Sequence, residues 1–265
     1  MPSTNPHIQQ RWNTNVTHHD HASYSPDISA CITAANQVHD ALCAPDLQEI
    51  GPYQFATSII PARFVSGDFV LAFEQRGAWH FALGDLMGKG LAAAMWLTHV
   101  VDLIRHSCEQ HDELPTIMGR LNYDMYRSRV GVPLTSLFLA RLDPADSRIT
   151  YSCGGCPAAF LLTQNGCVDM LDRGGPVLGA LEHATYNSAS FTLSPAQLFV
   201  AVSDGVTEVH HGMDFELRPD RVVKHLQFTA GDSADSIVRS LTDKVRSHSP
   251  VLTDDISIMA LQRTA

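Results

Sequence analysis

Four aspartates in this chain stand where a carboxylate can do more than solvate a surface. Asp68 follows Ser66-Gly67, and Asp85 follows Gly84 in the stretch GDLMGKG. Asp204 lies between Ser203 and Gly205, and Asp254 opens the pair Asp254-Asp255. Asp85 and Asp204 each close an apolar, strand-like run, whereas Asp68 and Asp254 each precede one. Carboxylates at strand ends, beside backbone free to bend, can converge on one rim of a stacked-sheet fold. Hard oxygen ligands gathered in this way suit Mg2+ or Mn2+, whereas zinc usually recruits His or Cys. Taken singly, each Asp-Gly step is ordinary turn chemistry. It is the set of four that points to a metal centre.

GDLMGKG packs three glycines into seven residues and opens into an Ala-rich helix. A phosphate-cradling P-loop needs Gly-x-x-x-x-Gly-Lys followed by Ser or Thr. Here the spacer is too short, and Gly90 stands where the hydroxyl residue belongs. The dinucleotide fingerprint fails as well, because Gly84, Gly88 and Gly90 have the wrong spacing. Cys153-Gly154-Gly155-Cys156 lies between strand patterns with no second cysteine pair, so it reads as a tight hairpin-type turn rather than a zinc or redox site. His210 and His211 read as exposed loop residues.

The elements that must carry these residues follow from periodicity. YQFATSII, DFVLAFEQ and AWHFALGD are short β-prone runs, the last two joined through Arg76-Gly77. Helical stretches follow through GLAAAMWLTHVVDLIRHSC and ELPTIMGRLNYDMYRSR. Strand signals return in SLFLARL, RITYSC, AAFLLTQ, CVDML, SASFTL and QLFVAVS. Two further helices, near PDRVVKHL and ADSIVRSLTDKVRS, precede a last strand, ISIMALQ. This order is not the βαβα alternation of a parallel doubly wound sheet. It predicts an α+β fold of stacked antiparallel sheets with helices packed outside.

Residues 1–26 are polar and read as a mobile tail. Residues 27–44 form a leading helix, on which Ile28, Ile32, Ala35, Val38 and Leu42 make one apolar stripe that must be covered. Residues 45–265 form the main domain. Of the 265 residues, 45% are hydrophobic and 17% charged, which supplies a sizeable core. A net charge of −10 speaks against nucleic acid and against a polybasic membrane patch. No apolar run reaches membrane-spanning length, and no secretory signal is evident at the start, so the expected location is the cytoplasm, with the six cysteines reduced.

Seven segments together, in this order along the chain, resemble the PPM-type, metal-dependent serine/threonine protein phosphatases in their bacterial SpoIIE/RsbU branch. They are Pro61-Ala62-Arg63-Phe64-Val65-Ser66-Gly67-Asp68-Phe69, Gly84 to Gly90 with Ala92 to Ala94, Thr135-Ser136-Leu137, and Tyr151 to Pro157. Gly175 to Gly179, Ser203 to Glu208, and Thr253-Asp254-Asp255-Ile256-Ser257 complete the set. The resemblance covers roughly residues 45–262. It implies two stacked antiparallel β-sheets flanked by helices on both faces, and a centre of two Mn2+ or Mg2+ ions. By motif position Asp85 bridges the metals with the Leu86 carbonyl nearby, Asp68 binds one ion, and Asp204 and Asp254 bind the other. Asp255 is either the ligand in place of Asp254 or a partner beside it. Arg63 either binds phosphate or forms a surface ion pair.

The implied reaction is hydrolysis of phosphoserine or phosphothreonine on a partner protein, by a water activated between two cations, with no covalent enzyme intermediate. By resemblance the substrate class is an anti-anti-sigma (STAS-domain) protein in a bacterial partner-switching pathway. The alternative is a catalytically weak, phosphatase-like module that sequesters a phosphoprotein. The helix at 28–43 implies self-association or an upstream activator. The chain departs from the family pattern in having Ser66 where glycine is usual, Lys89 where histidine is frequent, Cys156 after Gly155, and Ser257 in place of threonine.

Overall fold

A computed structural model describes residues 26–43, 50–88, 90–128, 131–155, 157–208, 219–248 and 252–264. The expected polar tail, Lys89, Cys156, His210 and His211 lie outside the described residues.

The chain runs α1 (Pro26–Cys43), β1 (Tyr53–Ile60), β2 (Asp68–Gln75), β3 (Ala78–Leu86), α2 (Leu91–Gln110) and α3 (Leu114–Arg127). It continues through β4 (Thr135–Asp143), β5 (Arg148–Gly154), β6 (Ala158–Leu162), β7 (Val168–Met170), β8 (Gly174–Gly175), β9 (Ala189–Thr192) and β10 (Leu198–Val202). It closes with α4 (Asp204–Thr207), α5 (Pro219–Phe228), α6 (Ala234–His248) and β11 (Ile256–Arg263). One sheet has the order β1-β11-β10-β6-β7, and the other has β2-β3-β4-β5-β8 with β9 on β5. All pairings are antiparallel except the two-residue contact of β5 with β8.

Three apolar layers hold four structural layers together. Phe81, Leu83, Phe138, Phe199, Ala201 and Met259 fill the space between the sheets. Ala82, Leu137 and Leu139, which alternate with those residues, face α2 and α3 through Leu97, Val100, Ile104, Ile117 and Leu121. On the far side Val200, Val202, Ile258 and Ala260 meet Val222, Leu226, Ile237 and Leu241 of α5 and α6. Strands buried on both faces read as continuous apolar runs, which is why LFVAV and ISIMAL lack polar alternation. The fold is the α+β sandwich expected from the order of elements.

The hairpin between β2 and β3 turns on Arg76 and Gly77, both at positive φ (55° and 75°), the two-residue geometry that matches strand twist. The expected hairpin at 153–156 does not form. The strands it would join, β5 and β6, belong to different sheets, so this segment carries the chain across the sandwich. The face of α1 is also rotated from expectation. Ile32, His39 and Cys43 are buried, while Ile28 and Val38 are about half exposed. A buried polar group decides this orientation: the His39 imidazole lies 2.9 Å from the backbone carbonyl of Asp68. No helix among the described residues is long and apolar enough to cross a membrane.

Candidate metal centre

The topology brings the predicted aspartates to one end of both sheets. Asp68 is the first residue of β2 and lies directly opposite Asp85 in the antiparallel register with β3. Directly opposed side chains place their Cβ atoms about 5 Å apart, and like charges in that position repel. At the same end of the other sheet, Ser203 N–H donates to the carbonyl of Ser257 at 2.9 Å. This bond sets the end of β10, followed by Asp204, beside the start of β11, preceded by Asp254 and Asp255. Asp204 occupies the first turn of α4, a short helix that the sequence reading treated as a plain turn.

The glycines of GDLMGKG serve different ends. A Cβ on Gly84 would fall 2.3 Å from the Phe69 ring, so glycine lets that ring lie across β3 beside Asp85. Gly88 and Gly90 have φ of 115° and 77°, which reverses the chain into α2. Gly67 faces the same turn, and a Cβ there would sit 3.1 Å from the carbonyl oxygens of both Leu86 and Gly88. Leu86 N–H donates back to Gly67 O at 3.3 Å. The Leu86 carbonyl therefore lies beside the loop that delivers Asp68.

The electrostatics are those of crowded carboxylates. The Asp68 carboxyl is buried and pushed well above the usual carboxylate range by burial, then by the charges of Asp85 and Asp255. Asp85 is pushed up to about 7, by burial first and then by Asp204 and Asp254. These mutual effects locate Asp68, Asp85, Asp204 and Asp254 in one region. Among the described residues, no three His, Cys, Asp or Glu side chains are drawn into a closed ligand set. The donors share a region without meeting at a point.

The residues nonetheless fit hard divalent cations. Asp68 Oδ2 is buried and without a hydrogen-bond partner. Buried acceptors are almost always satisfied, and an orphaned carboxylate oxygen beside three more carboxylates is matched by a cation. The four carboxylates and the Leu86 carbonyl are all oxygen donors, the kind that Mg2+ and Mn2+ prefer.

The two open residues fall on different sides. Asp255 is 3% exposed, and both of its oxygens are occupied. Oδ1 accepts from Ala62 N–H at 2.7 Å, and Oδ2 accepts from Ser66 Oγ–H at 2.9 Å and Gly67 N–H at 2.8 Å. Asp254, in the bend just before β11, is only part-buried, and its Oδ1 accepts the Asp255 N–H at 2.9 Å. Arg63 is exposed in the loop that Asp255 holds, and among the described residues no ion pair to it is found. Sequence reasoning missed Ser66, Ser203 and His39. The two serines match no ligand pattern, His39 lies far from the aspartates in sequence, and only the fold shows what they touch.

Comparison with known proteins identifies the family and the fold. The family description "Stage II sporulation protein E (SpoIIE)" matches residues 75–264, a span that contains Asp85, Asp204 and Asp254. The phosphoserine phosphatase RsbU of Bacillus subtilis is 24% identical over 240 residues, covering 89% of this chain and 71% of that protein. The solved SiaA-PP2C domain of Pseudomonas aeruginosa has the same fold, with a TM-score of 0.77 at 17% identity over 89% of this chain and 97% of that one. A structure of RsbX in complex with magnesium matches at a TM-score of 0.60 and 16% identity, over 81% and 97% of the two chains.

Proposed function

Because the chain belongs to the SpoIIE family, within the PPM-type protein-serine/threonine phosphatases, we propose that it hydrolyses phosphoserine or phosphothreonine on a partner protein using two divalent cations. Asp68, Asp85, Asp204 and Asp254, with the Leu86 carbonyl, hold the ions. The observation that carries this reading is the buried, unpartnered Oδ2 of Asp68, set opposite Asp85 at the sheet end shared with Asp204 and Asp254.

Bound Mg2+ or Mn2+ supplies Lewis acidity and lowers the pKa of water toward neutrality. The protein's own part is positional. The β2–β3 ladder sets Asp68 against Asp85, and α4 and β11 bring Asp204 and Asp254 to the same edge. Arg63, exposed on the loop that Asp255 holds, would take a phosphoryl oxygen pair in a bidentate contact. No nucleophilic side chain is required.

The substrate we propose is a phosphorylated STAS-type anti-anti-sigma protein in a partner-switching pathway, supported by the likeness to the phosphoserine phosphatase RsbU. Regulation through α1 is supported by its half-exposed Ile28 and Val38, which suit self-association or an upstream activator. The decisive experiment follows phosphate release from phosphorylated STAS proteins, and from p-nitrophenyl phosphate, with Mn2+ and with EDTA. Release should need Mn2+ and vanish in Asp85→Asn. Turnover that survives EDTA, or survives this substitution, defeats the reading.

A further inference from the structure

Asp255 touches three parts of the site's framework, and both of its oxygens already accept hydrogen bonds. Its side chain fixes the loop at 61–67 that carries the chain from β1 in one sheet to β2 in the other, through three charge-assisted bonds to Ala62, Ser66 and Gly67. Ser66 passes the constraint on. Its hydroxyl donates to Asp255 Oδ2 and accepts the Asp68 N–H at 3.0 Å. The main chain of Asp255 reaches the third segment. Ser203 Oγ donates to its carbonyl at 3.3 Å, and Gly205 lies so close that a Cβ there would fall 1.9 Å from the same oxygen.

One residue thus binds together the segments that bear Arg63 and Asp68, Asp204, and Asp254. Ser66 stands where the family pattern usually has glycine. Glycine can accept the loop's conformation, but it has no hydroxyl to join Asp255 to the Asp68 amide. Ser66 is absent from the residues with positive φ, so no backbone strain opposes the serine.

We propose that Asp255 and Ser66 are a coupled pair of positioning residues that set the divalent-cation affinity of the site by fixing the backbone at Asp68. This rests on the metal-dependent reading above. The pair makes no contact with substrate and is not catalytic. Losing the relay frees the Asp68 amide and removes one of the two bonds to Asp255 Oδ2, and a hydrogen bond to a charged group is worth enough to weaken binding roughly tenfold or more.

The test uses the full chain, with MnCl2 titrated by calorimetry into wild type, Ser66→Ala, Asp255→Asn and Asp85→Asn. Hydrogen exchange of the metal-free proteins is followed alongside. Ser66→Ala should bind Mn2+ about tenfold more weakly, with kcat at saturating Mn2+ within about threefold of wild type. In metal-free protein, Gly67 and Asp68 amides should lose protection while β3 and β10 keep theirs. Unchanged Mn2+ affinity in Ser66→Ala overturns the proposal if wild type binds Mn2+ and Asp85→Asn does not. Abolished binding in Asp255→Asn beside an unaltered Ser66→Ala would also overturn it, because Asp255 would then be a ligand. If wild type itself binds no Mn2+, the metal-dependent reading fails, and this inference with it. Ser66→Ala removes one oxygen from a loop and keeps the pair testable should Asp255→Asn fail to fold.

Discussion

Asp85→Asn should make the metal-free protein more stable while destroying its response to metal. The folded protein raises the Asp85 carboxyl from 3.8 to about 7, through burial and then the charges of Asp204 and Asp254. A group that holds its proton more tightly when folded costs stability as pH rises. The unfolded chain ionises from about pH 4, and the folded one follows only near pH 7. The penalty therefore grows across that window and is complete above it. At 1.36 kcal/mol per pH unit the displacement amounts to about 4 kcal/mol. Part of the carboxyl meets water, and solvent screening reduces the figure to about 2 kcal/mol. An uncharged, nearly isosteric amide escapes the penalty. Thermal unfolding followed by circular dichroism at pH 8 in EDTA should place Asp85→Asn roughly 4–8 °C above wild type. The gap should narrow as pH falls from 7 toward 4. Added Mn2+ should raise the wild-type midpoint and leave the variant's in place, reversing their order. A variant that melts at or below wild type in EDTA at pH 8 refutes the electrostatic argument, since the carboxylates would then not be in mutual repulsion.

Two further expectations concern the scaffold. His80 is buried with both ring nitrogens unpartnered and stacks on Phe73 at 5.3 Å. Burial, and then Arg141, lowers it from 6.5 to about 4, so stability is intact above pH 6.5 and falls by up to about 3 kcal/mol as pH drops to 4. Urea denaturation at pH 7 and at pH 4.5 should show His80→Leu losing less stability between the two than wild type; parallel losses would refute it. Gly205→Ala drives a Cβ into the Asp255 carbonyl, where only backbone can yield, and should cost about 1–3 kcal/mol in denaturant midpoint analysis. Gly119→Ala, in α3 where an added Cβ meets nothing within 4 Å, should instead stabilise by up to about 1 kcal/mol. Equal effects at the two glycines would discredit the steric argument.

The strands and helices were legible because burial on both faces of each sheet demands long apolar runs, and few other arrangements accept LFVAV beside ISIMAL. The aspartates were legible because each bounds such a run with a charge, and three of them, Asp68, Asp85 and Asp204, sit next to glycine. Less legible was which face of a helix turns inward. On α1 the apolar stripe through Ile28 and Val38 gave way to His39, whose bond to the Asp68 carbonyl depends on a strand 29 residues away. No local periodicity encodes that partner. The cysteine-flanked turn differs for a related reason: adjacency in sequence suggests a hairpin, while β5 pairs back to β4 in one sheet and β6 pairs with β7 and β10 in the other.

The same distinction separates the ligands from what positions them. A metal-binding carboxylate leaves a mark in any sequence, because an unpaired acid at the end of an apolar strand needs a reason. Asp255 leaves the same mark, and sequence alone gives its neighbour Asp254 no precedence over it. The hydrogen bonds separate the two: Asp255 accepts from Ala62, Ser66 and Gly67 and so holds a loop, whereas Asp254 Oδ1 accepts the adjoining Asp255 amide, and the proposal that Asp254 is the ligand rests on that difference. Ser66 carries no such mark, since a serine before Gly-Asp reads as turn chemistry. Its function exists only once β1 and β2 have been placed in different sheets and a single loop must cross between them. Residues that bind the reacting groups can thus be read from composition and spacing, while residues that tune the binding become visible only through the contacts the fold creates.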